Sequence, residues 1–149
     1  MKASLLVIHG PNLNLLGSRE PEIYGSTTLP LINEQISQRA SQLGLDIHCV
    51  QTNHEGKIVD LLQEAEHDCM AVILNPAAYT HTSIAIRDAI AAISIPVIEI
   101  HLSQISKREP FRHTSLTAPV CAGLISGFGY HGYLLAVEAA ALLIPELSG

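Results

Sequence analysis

Short apolar runs alternate with amphipathic stretches along the chain. Runs rich in Val and Ile fall at Ser4–His9, Leu45–Gln51, Ala71–Asn75, Val97–Leu102 and Val120–Ser126. They are apolar on both faces, so each predicts a buried parallel strand. Between them the spacing becomes helical. Residues 29–43 place Ile32, Ile36, Ala40 and Leu43 on one side, with Pro30 in the first turn and Gly44 just past the end. Ile58, Leu61, Leu62 and Ala65 form a second stripe. Ile86, Ala89, Ile90 and Ile93 form a third, which Thr82 or Ser83 is placed to cap. A short helix or turn is expected at Ser106–Arg108. Residues 130–144 predict a last helix, apolar nearly all round except for Glu138 and stopped by Pro145.

Strands that alternate with helices in this way predict an α/β fold: one flavodoxin-like parallel sheet of five strands, order 2-1-3-4-5. The 149 residues make a single domain, 1–149. Ligands of such sheets bind beyond the carboxyl ends of the strands. Polar residues that follow the strands are therefore the candidates for chemistry.

Composition narrows the classes. Charged residues make up only 15% of the chain, against roughly 25% in ordinary globular proteins. With a mean hydropathy of +0.29, this suggests surface hidden in a homo-oligomer. The net charge of −6 and the lack of a basic run give nucleic acid or an anionic membrane no electrostatic hold. No stretch has the length of a signal-peptide core or a membrane span, so the chain reads as cytoplasmic. Cys49, Cys69 and Cys121 are widely spaced among apolar residues and predict reduced thiols in or near the core. The histidines show no metal-ligand spacing, and His48, His54 and His67 look peripheral.

The first strand is followed by a long segment in which Gly10, Gly17 and Gly25 lie too far apart for a phosphate cradle. It is either an irregular connection or a lid over about residues 17–25, hinged at Gly17 and Gly25 and carrying Arg19 and Tyr24. After the third strand come Asn75, Pro76 and His81. His81 and Asp88 are two helical turns apart and share a helix side if the helix begins by His81. In the fourth strand, alternation puts Glu99 and His101 on one face. Two ionisable groups in an apolar strand are costly unless paired or used. They read either as a structural ion pair or as a general acid oriented by a carboxylate. The segment 107–113 is the densest in positive charge; it is a solvated loop or a clamp for a small anion, with Arg112 the better candidate.

Four motifs, HGPNLNLLGSREPEIYG, NPAAYTHTSIAIRDA, EIHLSQISKREPFRHTS and GLISGFGYHGYLLA, together resemble type II 3-dehydroquinate dehydratases over nearly the whole chain, in order and spacing. The resemblance implies a dodecamer built from trimers. The implied reaction is anti elimination of water from 3-dehydroquinate to 3-dehydroshikimate through an enolate, without metal or cofactor, in the shikimate pathway of aromatic amino acid biosynthesis. By the same similarity Tyr24 is the base, and Arg19 supplies the cation that favours its phenolate. Asn12 with an ordered water stabilises the enolate oxygen, and His101, oriented by Glu99, protonates the leaving hydroxyl. Asn75, His81 and Arg112 match positions that bind substrate hydroxyls. The backbone amides of Leu102 and Ser103 match the carboxylate site, which only partly supports Arg112 as the clamp. Asp88 matches a residue contributed by a neighbouring subunit. Where the family commonly reads Ser-Asn, this chain has Ser103-Gln104, a change expected to alter only local packing or loop geometry.

Three other readings make different demands. A Schiff-base dehydratase needs a buried lysine, and Lys2, Lys57 and Lys107 all lie outside the predicted strands. A flavin or nucleotide module on this fold lacks a phosphate loop. An inactive scaffold fits poorly with the presence of every matched catalytic residue.

Overall fold

The computed structural model describes residues 3–145. Its strands are β1 (Ser4–His9), β2 (Asp46–Gln51), β3 (Ala71–Asn75), β4 (Val97–His101) and β5 (Gly123–Ser126). All pair in parallel, in the order β2-β1-β3-β4-β5. The helices are α1 (Pro21–Tyr24), α2 (Leu29–Gln42), α3 (Glu55–Asp68), α4 (Ile84–Ala92) and α5 (His131–Leu143), with short 3-10 turns between. The flavodoxin-like topology expected from the alternating pattern is the one observed.

Period-two alternation sorts the strand side chains onto two cores. Leu5, Val7, Ile73, Ile98 and Ile100 pack against Ile32 and Ile36 of α2 and Tyr133 and Val137 of α5. Leu6, Ile8, Val72, Leu74 and Val97 pack against Ile58 and Leu62 of α3 and Ile86 and Ile90 of α4. The inner strands thus have helices on both faces, which is why they are apolar along most of their length, with Ser4, His9, Asn75, Glu99 and His101 the polar exceptions. The outer strands depart from that expectation. Much of β2 is only half-buried, and Leu124 in β5 is 47% exposed, because each strand has a neighbour on one edge only.

Several boundaries move. The fifth strand begins at Gly123 and not at Val120, because Pro119 lies in a 3-10 turn over Ala118–Val120 and has no N–H to give a ladder. α4 is capped by Ser83, whose Oγ accepts from Ile86 N–H at 2.9 Å. Gly44 takes the left-handed conformation (φ 75°) just past α2, as its position after the helical stripe implied. Cys49, Cys69 and Cys121 are free and half-buried. No described helix is long and apolar enough to cross a membrane.

Candidate active site

Strand register brings the polar strand ends together. His9 stands beside Asn75 and Gln51, Glu99 beside Leu74, and His101 beside Ser126. Gly10 closes the first junction: its N–H donates to Asn75 O at 2.8 Å, and a Cβ there would lie 2.7 Å from that same oxygen. Only glycine lets the loop after β1 come so close to β3. Asn12 follows in the left-handed region (φ 69°), with its N–H donating to Asn53 Oδ1 at 3.0 Å.

A crevice opens at these ends. Asn12, Arg19 and Tyr24 enter it from the loop after β1, and Asn75 and His81 from the end of β3. His101, Leu102, Ser103 and Arg112 close the other side. The turn after β4 is held by Gly129 N–H donating to Leu102 O at 2.9 Å and by Ser126 Oγ–H donating to Ser103 O at 3.0 Å. Gln104 does not line the crevice; it packs under Gly127, where an added Cβ would lie 3.1 Å from Gln104 Cβ.

The expected hinges Gly17 (φ 96°) and Gly25 (φ 89°) both use backbone that favours glycine, and the segment between them carries Tyr24 to the crevice. Arg19 Cζ lies 4.8 Å from the Tyr24 ring centroid, and Arg108 Cζ lies 5.1 Å from it. Two guanidiniums thus place positive charge against one phenol. Within the cationic segment 107–113 it is Arg108, and not the expected Arg112, that meets this ring. It also reaches Ser103 Oγ at 3.3 Å, whereas Arg112 Nε is paired with Glu109 Oε2 at 2.6 Å.

Glu99 is fully buried behind His101, and its Oε2 meets His101 Nε2 at 2.6 Å. Thr80 Oγ1–H donates to the same carboxylate at 2.7 Å, Thr117 Oγ1–H donates to Oε1, and Ser115 Oγ–H adds a longer contact of 3.4 Å. Burial by itself pushes the Glu99 carboxyl upward. The hydrogen bond and charge of His101 and the threonine hydroxyls outweigh it and hold the group below the usual carboxylate range. The ionised carboxylate orients the imidazole, and Nδ1 is left as the ring nitrogen for a ligand. Cys121 Sγ lies 3.8 Å from Glu99 Oε1, and burial pushes its thiol up to about 12, so it stays neutral.

A second buried network lies on the opposite face of the sheet. His9 and Tyr133 are both fully buried; Tyr133 Oη lies 2.7 Å from His9 Nδ1, and Asn75 Nδ2–H donates to Tyr133 Oη at 3.1 Å. His9 Nε2 lies 2.7 Å from Asn33 Oδ1. Burial, opposed in part by the Asn33 hydrogen bond, lowers the His9 pKa from 6.5 to about 4. Between these values the unfolded chain binds the proton and the folded one does not. Stability is therefore complete above pH 6.5 and falls as the pH drops toward 4, by about 3 kcal/mol from this group. Denaturant unfolding at stepped pH measures that slope, and the His9 ring resonances should stay those of neutral imidazole until about pH 4. A ring that titrates near 6.5 would refute it.

His81 and Asp88 do not share a helix side. His81 ends a 3-10 turn over Ala77–His81, and α4 starts only after the Ser83 cap. His81 Nδ1–H donates to Thr114 O at 2.8 Å. Asp88 stands away from its own chain's crevice, with its side chain 61% exposed and paired to Arg87 at 2.9 Å. His48, His54 and His67 are exposed, as their positions suggested. The residues that sequence reasoning missed are Arg108, the hydroxyls around Glu99, and the pair His9 and Tyr133. His9 did carry a usable signal, a titratable residue ending an apolar inner strand.

Fold and crevice define a flavodoxin-like α/β protein equipped for acid–base chemistry on a small polar ligand. The family model described as dehydroquinase class II matches residues 3–141. The 3-dehydroquinate dehydratase of Ruegeria pomeroyi is 54% identical over 144 residues, covering 96% of this chain and 97% of that protein. The enzyme of the same name from Geotalea daltonii is 58% identical over 135 residues, covering 91% and 94%. The crystal structure of type II dehydroquinase from Butyrivibrio crossotus superposes with a TM-score of 0.92 at 45% identity, covering 93% of this chain and 97% of that one. The chain belongs to the class II dehydroquinase family, as its motifs implied.

Proposed function

We propose that the crevice eliminates water from 3-dehydroquinate to give 3-dehydroshikimate, with Tyr24 and His101 as the base and acid. As a class II dehydroquinase the chain is a hydro-lyase of the shikimate pathway. One observation carries the assignment of roles: the buried Glu99–His101 pair and a phenol flanked by two guanidiniums face the same crevice.

Tyr24, as phenolate, takes the proton alpha to the ketone, and the electron pair moves onto the ketone oxygen. Asn12 with an ordered water stabilises that enolate. The enolate then collapses, the C–O bond beta to the ketone breaks, and protonated His101 passes its proton to the departing hydroxyl, so that water leaves. Glu99 holds the imidazole for that transfer. Asn75, His81 and Arg112 bind substrate hydroxyls, and the amides of Leu102 and Ser103 receive the carboxylate.

Asp88 acts in a neighbouring subunit's site, within a homododecamer formed as a tetramer of trimers. Its position outside its own crevice supports that reading. So does an apolar hollow at the β5 edge lined by Leu124, Ala139, Leu142 and Leu143, with Leu142 76% exposed. The apolar surface that the composition implied lies in part there.

The direct test adds 3-dehydroquinate to the purified protein and follows the ultraviolet absorbance of the conjugated enone carboxylate, with chelator present and after borohydride treatment. The absorbance should rise at an unchanged rate under both conditions. Loss of the rise after borohydride and substrate would point to a Schiff base, for which neither Lys57 nor Lys107 lines the crevice; Lys2 lies outside the described residues. No rise from folded, assembled protein would overturn the assignment.

A further inference from the structure

Asn75 meets the crevice at the end of β3 with half of its side chain's hydrogen-bonding capacity committed. Its Oδ1 accepts from Ala77 N–H at 3.0 Å, and Ala77 is held there in the left-handed region (φ 51°). That bond identifies the other amide atom as Nδ2, which donates one hydrogen to Tyr133 Oη at 3.1 Å. The Tyr133 hydroxyl is fully buried and needs an acceptor for its own proton, and His9 Nδ1 is 2.7 Å away. If Nδ1 accepts, the proton of the neutral ring sits on Nε2, where Asn33 Oδ1 accepts it at 2.7 Å. Every donor then has an acceptor, in one direction from Asn75 through Tyr133 and His9 to Asn33. The opposite His9 tautomer would turn an N–H toward Tyr133 and a bare nitrogen toward the Asn33 oxygen, leaving the proton of the buried Tyr133 hydroxyl without an acceptor.

We propose that Asn33, His9 and Tyr133 form a positioning relay that locks the Asn75 amide with its second N–H toward the crevice, so that Asn75 meets substrate as a hydrogen-bond donor. The site then favours a ligand that offers an oxygen acceptor at that point. The proposal rests on the reading of Asn75 as a substrate contact and adds what orients it. The relay works from the α2/α5 face of the sheet, whereas the hydroxyls that hold Glu99 work from the α3/α4 face. The two sides of the crevice are therefore set independently.

Tyr133→Phe removes one oxygen from a buried ring and leaves the ring's packing. It should raise KM for 3-dehydroquinate about tenfold and leave kcat within about twofold, the pattern of a lost binding contact and not of a lost reacting group. A purely structural role would lower the thermal midpoint and the active fraction, and so kcat, with KM unmoved. The Asn75→Ala variant separates the two layers of the argument. A raised KM in Asn75→Ala with an unchanged KM in Tyr133→Phe would overturn the relay alone. An unchanged KM in both would overturn the reading of Asn75 and the proposal with it. For the unmutated protein, nitrogen-15 NMR of labelled histidine should find His9 neutral with its proton on Nε2; a proton on Nδ1 would overturn the direction of the relay.

Discussion

Tyr24→Phe is expected to lower kcat by about a thousandfold while KM moves only a few-fold, because it deletes the proton acceptor and little else. The ring lies 4.8 Å from Arg19 Cζ and 5.1 Å from Arg108 Cζ, and phenylalanine keeps both contacts. The segment from Gly17 to Gly25 should therefore hold its place. The absorbance assay reads the loss of turnover. A second readout locates it: without a base, exchange of the substrate's alpha proton with solvent should also stop. A variant with near-normal turnover would remove Tyr24 from the role of base.

His101→Ala is expected to lower kcat by about a hundredfold to a thousandfold for the other half of the reaction. Here the base remains, so alpha-proton exchange should continue while loss of water nearly ceases. That split distinguishes an acid from a residue that merely shapes the crevice. Part of the activity should return with added imidazole, since Glu99 and its hydroxyl donors remain to receive the ring. Removing the imidazole also leaves a buried carboxylate held by hydroxyls alone, so some stability should be lost. In the unmutated protein the Glu99 carboxyl lies below the ordinary range, so its contribution is present above the unfolded carboxyl value. It is lost as the pH falls through the folded one. Equal loss of exchange and elimination in His101→Ala would contradict the division of labour.

Both variants act on residues whose neighbours explain why a point change is so costly. Glu99 is fully enclosed, and its charge is tolerated only because His101, Thr80 and Thr117 all supply hydrogen atoms to it. Asn12 keeps a left-handed backbone that few residues accept, and Asn53 holds its amide. Arg108 illustrates a different kind of contact. It belongs to a loop after β4, yet it shares the Tyr24 ring with Arg19 from the loop after β1.

Much of this was legible in the sequence for a local reason. A strand repeats every two residues and a helix every 3.6, so the buried inner strands, a cap at Thr82 or Ser83 and the shared face of Glu99 and His101 all follow from neighbours along the chain. The motifs carried the rest of the chemistry by resemblance, Tyr24 and Asn12 above all. Misplacements occurred where the sequence pattern leaves choices open. The residues near His81 offer more than one start for α4, and only the Ser83 hydrogen bond to Ile86 settles it.

The chain by itself determined the alternating strands and helices, the polar residues at the strand ends and the family to which they belong, because these depend on residue type and spacing. Only the tertiary structure decided which polar groups meet. Tyr133 lies 124 positions from His9 and 58 from Asn75, yet its hydroxyl joins them. Thr80 and Thr117 reach Glu99 from separate loops. Such partnerships depend on strand register and on the packing of α5 across the sheet, where a hydrogen bond forms only within a few tenths of an ångström. No periodicity along the sequence encodes a distance of that kind.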